Sequence, residues 1–131
     1  MTRKKQSGTE RLLTEVELEF MRIIWDRIEV TVRDVVDALP KKRDLAYTSV
    51  ATIMKILEKK KVLSSRKSEH AHTYEPLISR AEYESTSLRH LAKNVFQGDP
   101  SSMVMKLLNE STLSQDDLLA IKKILEERME S

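Results

Sequence analysis

Residues 45–76 read LAYTSVATIMKILEKKKVLSSRKSEHAHTYEP, and a change of pattern inside this stretch decides the fold. Up to Lys60 the apolar residues recur at helical intervals, so that Val50, Ile53, Met54 and Leu57 cluster within an arc of roughly 100°. That width suits packing on other helices. From Val62 the chain turns to β-branched, aromatic and hydroxyl residues in two short runs, 62–66 and 71–75, around the polar tip Lys67-Ser68-Glu69-His70, which predicts a hairpin.

Working outward, helix starts are marked by a hydroxyl residue three positions before an acidic one, just ahead of apolar periodicity. Thr14 with Glu17 opens a helix bearing Leu18, Met21, Trp25 and Ile28, with Trp25 expected in the core. Thr31 with Asp34 opens a shorter one carrying Val32, Val35, Val36 and Leu39, which Pro40 stops. Beyond the hairpin, Ser79 with Glu82 starts a long helix through Tyr83, Leu88, Leu91, Ala92, Val95 and Phe96, and Gly98 suits the left-handed residue that ends it. Asp99-Pro100 restarts the chain into a helix with Met103, Val104, Leu107 and Leu108, and Ser114 with Asp117 caps a last one with Leu118, Ile121 and Leu125.

Three helices, a hairpin and three more helices predict a mainly α protein with a small β wing: a winged helix-turn-helix domain plus a C-terminal helical dimerisation domain. The expected organisation is a basic flexible tail over 1–11, a DNA-binding domain over 12–77 and a dimerisation domain over 78–131. The later apolar stripes, with Leu88, Leu91, Val95, Leu107, Leu118, Ile121 and Leu125, are too narrow to enclose a core alone. A second copy of the chain is the expected cover, the alternative being that they fold back on the N-terminal module.

Composition narrows the chemistry. The 131 residues include no cysteine, two glycines and three prolines, which excludes disulfides and thiolate metal sites and makes a many-stranded sandwich improbable. Net charge is only +2, but residues 41–67 carry nine basic side chains against Asp44 and Glu58, a local balance of +7 that attracts polyanions. No apolar run approaches the roughly 18 to 20 residues of a bilayer span. The basic N-terminus leads into no signal-like apolar segment, so a cytoplasmic protein without membrane partners is expected.

Opposite the apolar arc of the third helix, Thr48, Thr52, Lys55 and Lys59 project within about 30° of one direction, with Ser49 and Ala51 beside them. Short hydroxyl residues near a helix start let the backbone approach base edges, where threonine methyls can touch thymine methyls, while lysines further along reach phosphates. The candidate DNA-binding residues are Lys42, Arg43, Tyr47, Thr48, Ser49, Thr52, Lys55 and Lys59, with Arg66, Lys67 and His72 from the wing. Structural alternatives stand beside them: Thr48 as an N-cap, Tyr47 packing on the helix pair, and 59–61 as a solvated helix end. Thr52 and Lys55 have no evident structural role. His70 and His72 form an H-x-H pair on one strand face, but no third ligand completes a site, so neither metal nor cofactor is expected. No nucleophile elbow, P-loop or H-E-x-x-H motif occurs, so an enzyme is not expected. A winged-helix protein-interaction module with incidental DNA affinity is the alternative to a DNA-binding regulator.

Leu13-Thr14-Glu15-Val16-Glu17 through Ile24-Trp25, the stretch 45–54 with Leu57 and Lys59-Lys60-Lys61, the wing His72-Thr73-Tyr74-Glu75-Pro76, and Ser102-Met103-Val104 together resemble the penicillinase-repressor family (BlaI/MecI, with the copper-responsive CopY branch). The resemblance covers nearly the whole chain from about residue 12. It implies a homodimeric winged-helix repressor that binds an inverted-repeat operator in double-stranded DNA, often before β-lactam-resistance or stress genes, and that dimerises through its C-terminal helices. It places Thr48, Ser49 and Thr52 on the recognition helix, with Arg66 and His72 as wing support. Three departures accompany it. Ile56 stands where the family commonly has arginine, and no cysteine hook is present. A sensor protease is a further implied partner, but Met103-Val104-Met105-Lys106-Leu107-Leu108 lacks the Asn-Phe bond that such a protease cuts.

Overall fold

The computed structural model describes residues 12–131; the expected tail over 1–11 lies outside them. The elements are α1 (Glu15–Arg27), α2 (Val32–Ala38), a 3₁₀ turn (Lys41–Arg43), α3 (Tyr47–Lys59), β1 (Leu63–Lys67), β2 (His72–Pro76), α4 (Arg80–Asn94), α5 (Pro100–Glu110) and α6 (Gln115–Glu130). They form two compact units, the first ending at His90 and the second running Leu91–Ser131.

In the first unit the caps expected from sequence are made. Thr14 and Glu17 exchange side-chain and backbone bonds at the start of α1, Thr31 and Asp34 at α2, and Ser79 and Glu82 ahead of α4. Helix α3 differs: its N-cap is Ala46, which offers no side-chain bond, and Thr48 sits one residue inside the helix. The core joins Phe20, Met21 and Ile24 of α1 to Val32 and Val35 of α2, Val50, Met54 and Leu57 of α3, Leu63 and Tyr74 of the hairpin, and Ile78 and Tyr83 beyond it. Trp25 is half-buried and packs against the edge of this core, its indole N–H donating to the carbonyl of the buried Ile78 at 2.9 Å. Its ring also meets Tyr83, with centroids 5.8 Å apart, and the Tyr83 hydroxyl accepts from the Leu13 N–H at 2.8 Å. These contacts tie the start of α4 to α1, so the first unit extends past the boundary expected after residue 77.

The hairpin is antiparallel, with Leu63 opposite Pro76 and Lys67 opposite His72, one residue later on each strand than the pattern predicts. The left-handed conformation of Lys61 (φ 68°) and the Val62 N–H bond back to Leu57 O delay the first strand. Val30 adds a single bridge to β2, exchanging both backbone bonds with Tyr74 at 2.9 and 2.7 Å. Just before it, Ile28 takes φ 75° in a tight turn closed by the Glu29 N–H to Arg27 O bond at 2.8 Å. That turn delivers Glu29 to the hairpin. One carboxylate oxygen of Glu29 accepts from Arg66 at 2.8 Å and from Thr73 at 3.1 Å, and these two residues are directly opposed on the strands. One anion therefore grips both strands of the wing.

In the second unit α5 is capped by Asp99, which accepts from the Ser101 and Ser102 amides with Pro100 in the first turn, and α6 by the Ser114–Asp117 box. Helix α4 ends at Asn94, two residues before Phe96, and Gln97 as well as Gly98 adopts positive φ in the closing turn. Among the described residues of α5 and α6, Met103 alone is buried.

A buried ion pair ties the ends of α1 and α3 together. The Lys60 ammonium donates to both carboxylate oxygens of Glu17 at 2.8 and 2.7 Å, where Glu17 is almost fully enclosed. Burial pushes the Glu17 carboxyl up, but the bonds from Lys60 and from the Thr14 amide outweigh it and hold the net value below the ordinary 4.5. A carboxyl lowered by folding contributes stability above its unfolded pKa and loses it as pH falls through the folded value. We expect Lys60→Met to strand the Glu17 charge and cost about 2 kcal/mol at neutral pH, less than a fully buried pair because the Lys60 side chain keeps 20% of its exposure. The cost should shrink as pH falls and the stranded carboxyl protonates, which urea titrations at several pH values followed by circular dichroism would show. Ile28→Gly should instead stabilise, by about 1 kcal/mol in the same measurement, by relieving a β-branched residue at positive φ.

Candidate nucleic-acid interface

Burial of Val50, Met54 and Leu57 sets the rotation of α3 and thereby what it shows to solvent. Tyr47, Thr48, Ser49, Thr52, Lys55 and Lys59 are all exposed. Thr48, Thr52, Lys55 and Lys59 form one continuous row along the helix, because their spacing of four, three and four keeps them on one side. Ala51 beside them is half-buried, and Ile56 is 40% exposed. Thr52 does have a local bond: its hydroxyl donates to the Thr48 carbonyl at 2.9 Å. Its outward chemistry is therefore a methyl group and acceptor lone pairs. Thr48 makes no cap, so its hydroxyl is not committed to the helix start.

The basic residues of the segment 41–67 separate into two groups. Arg43 lies 3.1 Å from Glu19, Lys60 is held by Glu17, and Arg66 by Glu29. The Arg43–Glu19 contact is a close ion pair without hydrogen-bond alignment, since the buried Arg43 Nε has no hydrogen-bond partner. Lys41, Lys42, Lys55, Lys59, Lys61 and Lys67 are exposed and join none of the ion pairs found among the described residues. Of the expected DNA-binding cations, Lys42, Lys55, Lys59 and Lys67 thus present uncompensated charge, whereas Arg43 and Arg66 have internal partners. The Arg66 and Thr73 bonds hold the Glu29 carboxyl below its ordinary value, as a carboxylate accepting two donors must be.

His72 lies on β2 with its ring stacked on Tyr74, centroids 4.7 Å apart, half-buried at the base of the wing. His70 lies in the turn before β2, so the two histidines do not share a strand face as the H-x-H spacing suggests. Among the described residues no group of three His, Cys, Asp or Glu side chains is placed to hold a metal ion. No helix among them is long and apolar enough to cross a membrane.

Arg33 carries no signal in the sequence pattern, yet its guanidinium carbon stands 5.1 Å from the ring centroid of Tyr47. It projects from the exposed side of α2, and only the packing of α2 on α3 brings it to the start of the candidate recognition helix.

The sequence profile of the penicillinase repressor family matches residues 13–127. The chain is similar to the penicillinase repressor of Bacillus licheniformis, at 26% identity over 115 residues that cover 88% of this chain and 90% of that one. It is also similar to the transcriptional regulator BlaI of Mycobacterium tuberculosis, at 41% identity over 71 residues covering 53% of this chain and 51% of that one. Among solved structures, the solution structure of the Bacillus licheniformis BlaI monomer in complex with the blaP half-operator aligns at 26% identity with a TM-score of 0.48, covering 56% of this chain and 89% of that one. With the profile matched from the first residues of α1 almost to the end of α6, the chain belongs to the penicillinase repressor family.

Proposed function

We propose that this protein is a homodimeric transcriptional repressor that binds an inverted-repeat operator through α3 and the wing. The observation that carries the proposal is the row Thr48, Thr52, Lys55 and Lys59, exposed opposite the buried Val50, Met54 and Leu57, with its cations in no ion pair among the described residues. Hydroxyls and methyls near the helix start fit base edges in a major groove, and the lysines beyond them fit phosphates. Tyr47, Lys42 and Lys67 extend the phosphate contacts to both sides. Arg66 contributes by holding the wing's shape through Glu29 and Thr73, and His72 by packing on Tyr74.

Dimerisation is proposed from the apolar residues of the later helices. Val95 is 62% exposed, Leu107 53%, Leu118 42% and Leu125 52%, with Leu88 and Leu91 also exposed and Ile121 half-buried. Such stripes need cover, and a symmetric second copy supplies an identical one. Residues 78–131 would then act as the dimerising part, in a cytoplasmic protein without cofactor. The name of the Bacillus licheniformis relative, a penicillinase repressor, is the ground for proposing antibiotic-resistance or stress genes as targets. A sensor protease is no part of this proposal, because the chain in α5 reads Met103-Val104-Met105-Lys106-Leu107-Leu108 without an Asn-Phe bond.

Selection from a library of random duplexes should return a palindromic consensus whose half-sites lie about 34 to 36 Å apart or a multiple of it. Recovery of no consensus would overturn the proposal. Thr52→Ala with Lys55→Ala should reduce the preference for the selected duplex by about 1–3 kcal/mol in competition binding. Leu118→Glu with Leu125→Glu should leave the first unit folded but give a monomer in sedimentation, with affinity for the full palindrome falling towards that for a single half-site.

A further inference from the structure

We propose that Arg33 is a phosphate-binding residue of this surface, held in position by the ring of Tyr47. The inference deepens the DNA-binding reading and rests on it. Arg33 is exposed, and among the described residues no carboxylate lies within ion-pair distance of it. In this it resembles Lys55 and Lys59 and differs from Arg43, Lys60 and Arg66, which are neutralised by acidic residues of α1 and the turn after it. A cation in the first turn of α2 opposes the helix dipole, and the Thr31–Asp34 box already closes that end, so Arg33 does nothing for its own helix.

Among the described residues its specific neighbour is the face of Tyr47, 5.1 Å from ring centroid to guanidinium carbon, and Tyr47 is itself 47% exposed as the first residue of α3. A guanidinium resting on an aromatic face keeps the N–H groups along its edge available, and their fork matches two oxygens of one phosphate. Ordering the side chain on the ring before binding reduces the conformational freedom lost when the phosphate arrives. The group recognised is a backbone phosphodiester flanking the bases that α3 addresses. Such a contact adds affinity for every duplex and no preference among them.

The test uses the full chain, with fluorescence anisotropy on the duplex it selects from a random library and on a scrambled duplex, between about 50 and 200 mM salt. Arg33→Ala should weaken both duplexes by the same factor and lower the salt slope by about 0.9 for each bound protomer, with thermal unfolding unchanged. Arg33→Lys should keep the slope. In a Tyr47→Leu background Arg33→Ala should cost fewer-fold in affinity than in the wild type, whereas in Tyr47→Phe, which keeps the ring, it should cost the same. A wild-type slope in Arg33→Ala would overturn the proposal, as would a loss confined to the selected duplex, since that would make Arg33 a base reader. If the wild type selects no consensus, the repressor reading itself fails and this inference falls with it. A selective wild type with an indifferent Arg33→Ala removes only the assignment of Arg33.

Discussion

Three side chains of α3 have no contact with water at all, and the face that the helix shows to solvent follows from that exclusion. Val50, Met54 and Leu57 are each 0% exposed, and burial of such side chains contributes about 2 kcal/mol apiece. Turning the helix by one residue, about 100°, would bring them out and drive Lys55 and Glu58, or in the other sense Ser49, inward without partners. The outward row is therefore fixed by the core, independently of any ligand. Its chemistry is narrower than a list of hydroxyls suggests, because Thr52 has already given its hydrogen to the Thr48 carbonyl. A surface of methyls, acceptor oxygens and ammonium groups that join no ion pair among the described residues is left.

The electrical character of that surface is set from outside the segment that displays it. Glu17, Glu19 and Glu29 neutralise Lys60, Arg43 and Arg66, partners 43, 24 and 37 positions further along the chain. Each pairing also holds an element in place. Glu17 joins the start of α1 to the end of α3, Glu19 meets the turn before α3, and Glu29 clasps both strands of the wing. A local balance of +7 over residues 41–67 thus overstates the charge available to a polyanion, although the six lysines outside these pairs are each exposed.

Local rules were legible where their partners lie within a turn. The boxes at Thr14, Thr31, Ser79 and Ser114 need only a three-residue spacing, and all four are made. The apolar arc of α3 and the hairpin after it follow from periodicity in the same way. What spacing does not carry is set by contacts between distant segments. Trp25 donates to the Ile78 carbonyl, and Tyr83 reaches the Leu13 amide, so the first unit takes in the start of α4. Arg33 and Tyr47 lie 14 residues apart and meet only because α2 packs on α3. Thr48 has the residue type of an N-cap, but Ala46 takes that place without a side-chain bond.

The second unit poses the opposite problem, since its local structure is well specified and its packing is not self-sufficient. Caps such as Asp99 and the Ser114–Asp117 box are worth about 1 kcal/mol each, too little to hold helices of 11 and 16 residues that have one buried side chain between them. In the proposed dimer the missing stabilisation comes from the second copy, so folding of these helices and association of the chains become one equilibrium. Operator affinity depends on the same equilibrium, because once one half-site is held the second binds as an intramolecular step. A signal that loosens the C-terminal contact would therefore release DNA while leaving α3 and the wing untouched. In the proposed dimer the division of labour runs through α4: its start is fastened to Trp25, while Leu91 and Val95 at its end are exposed and would meet the second copy.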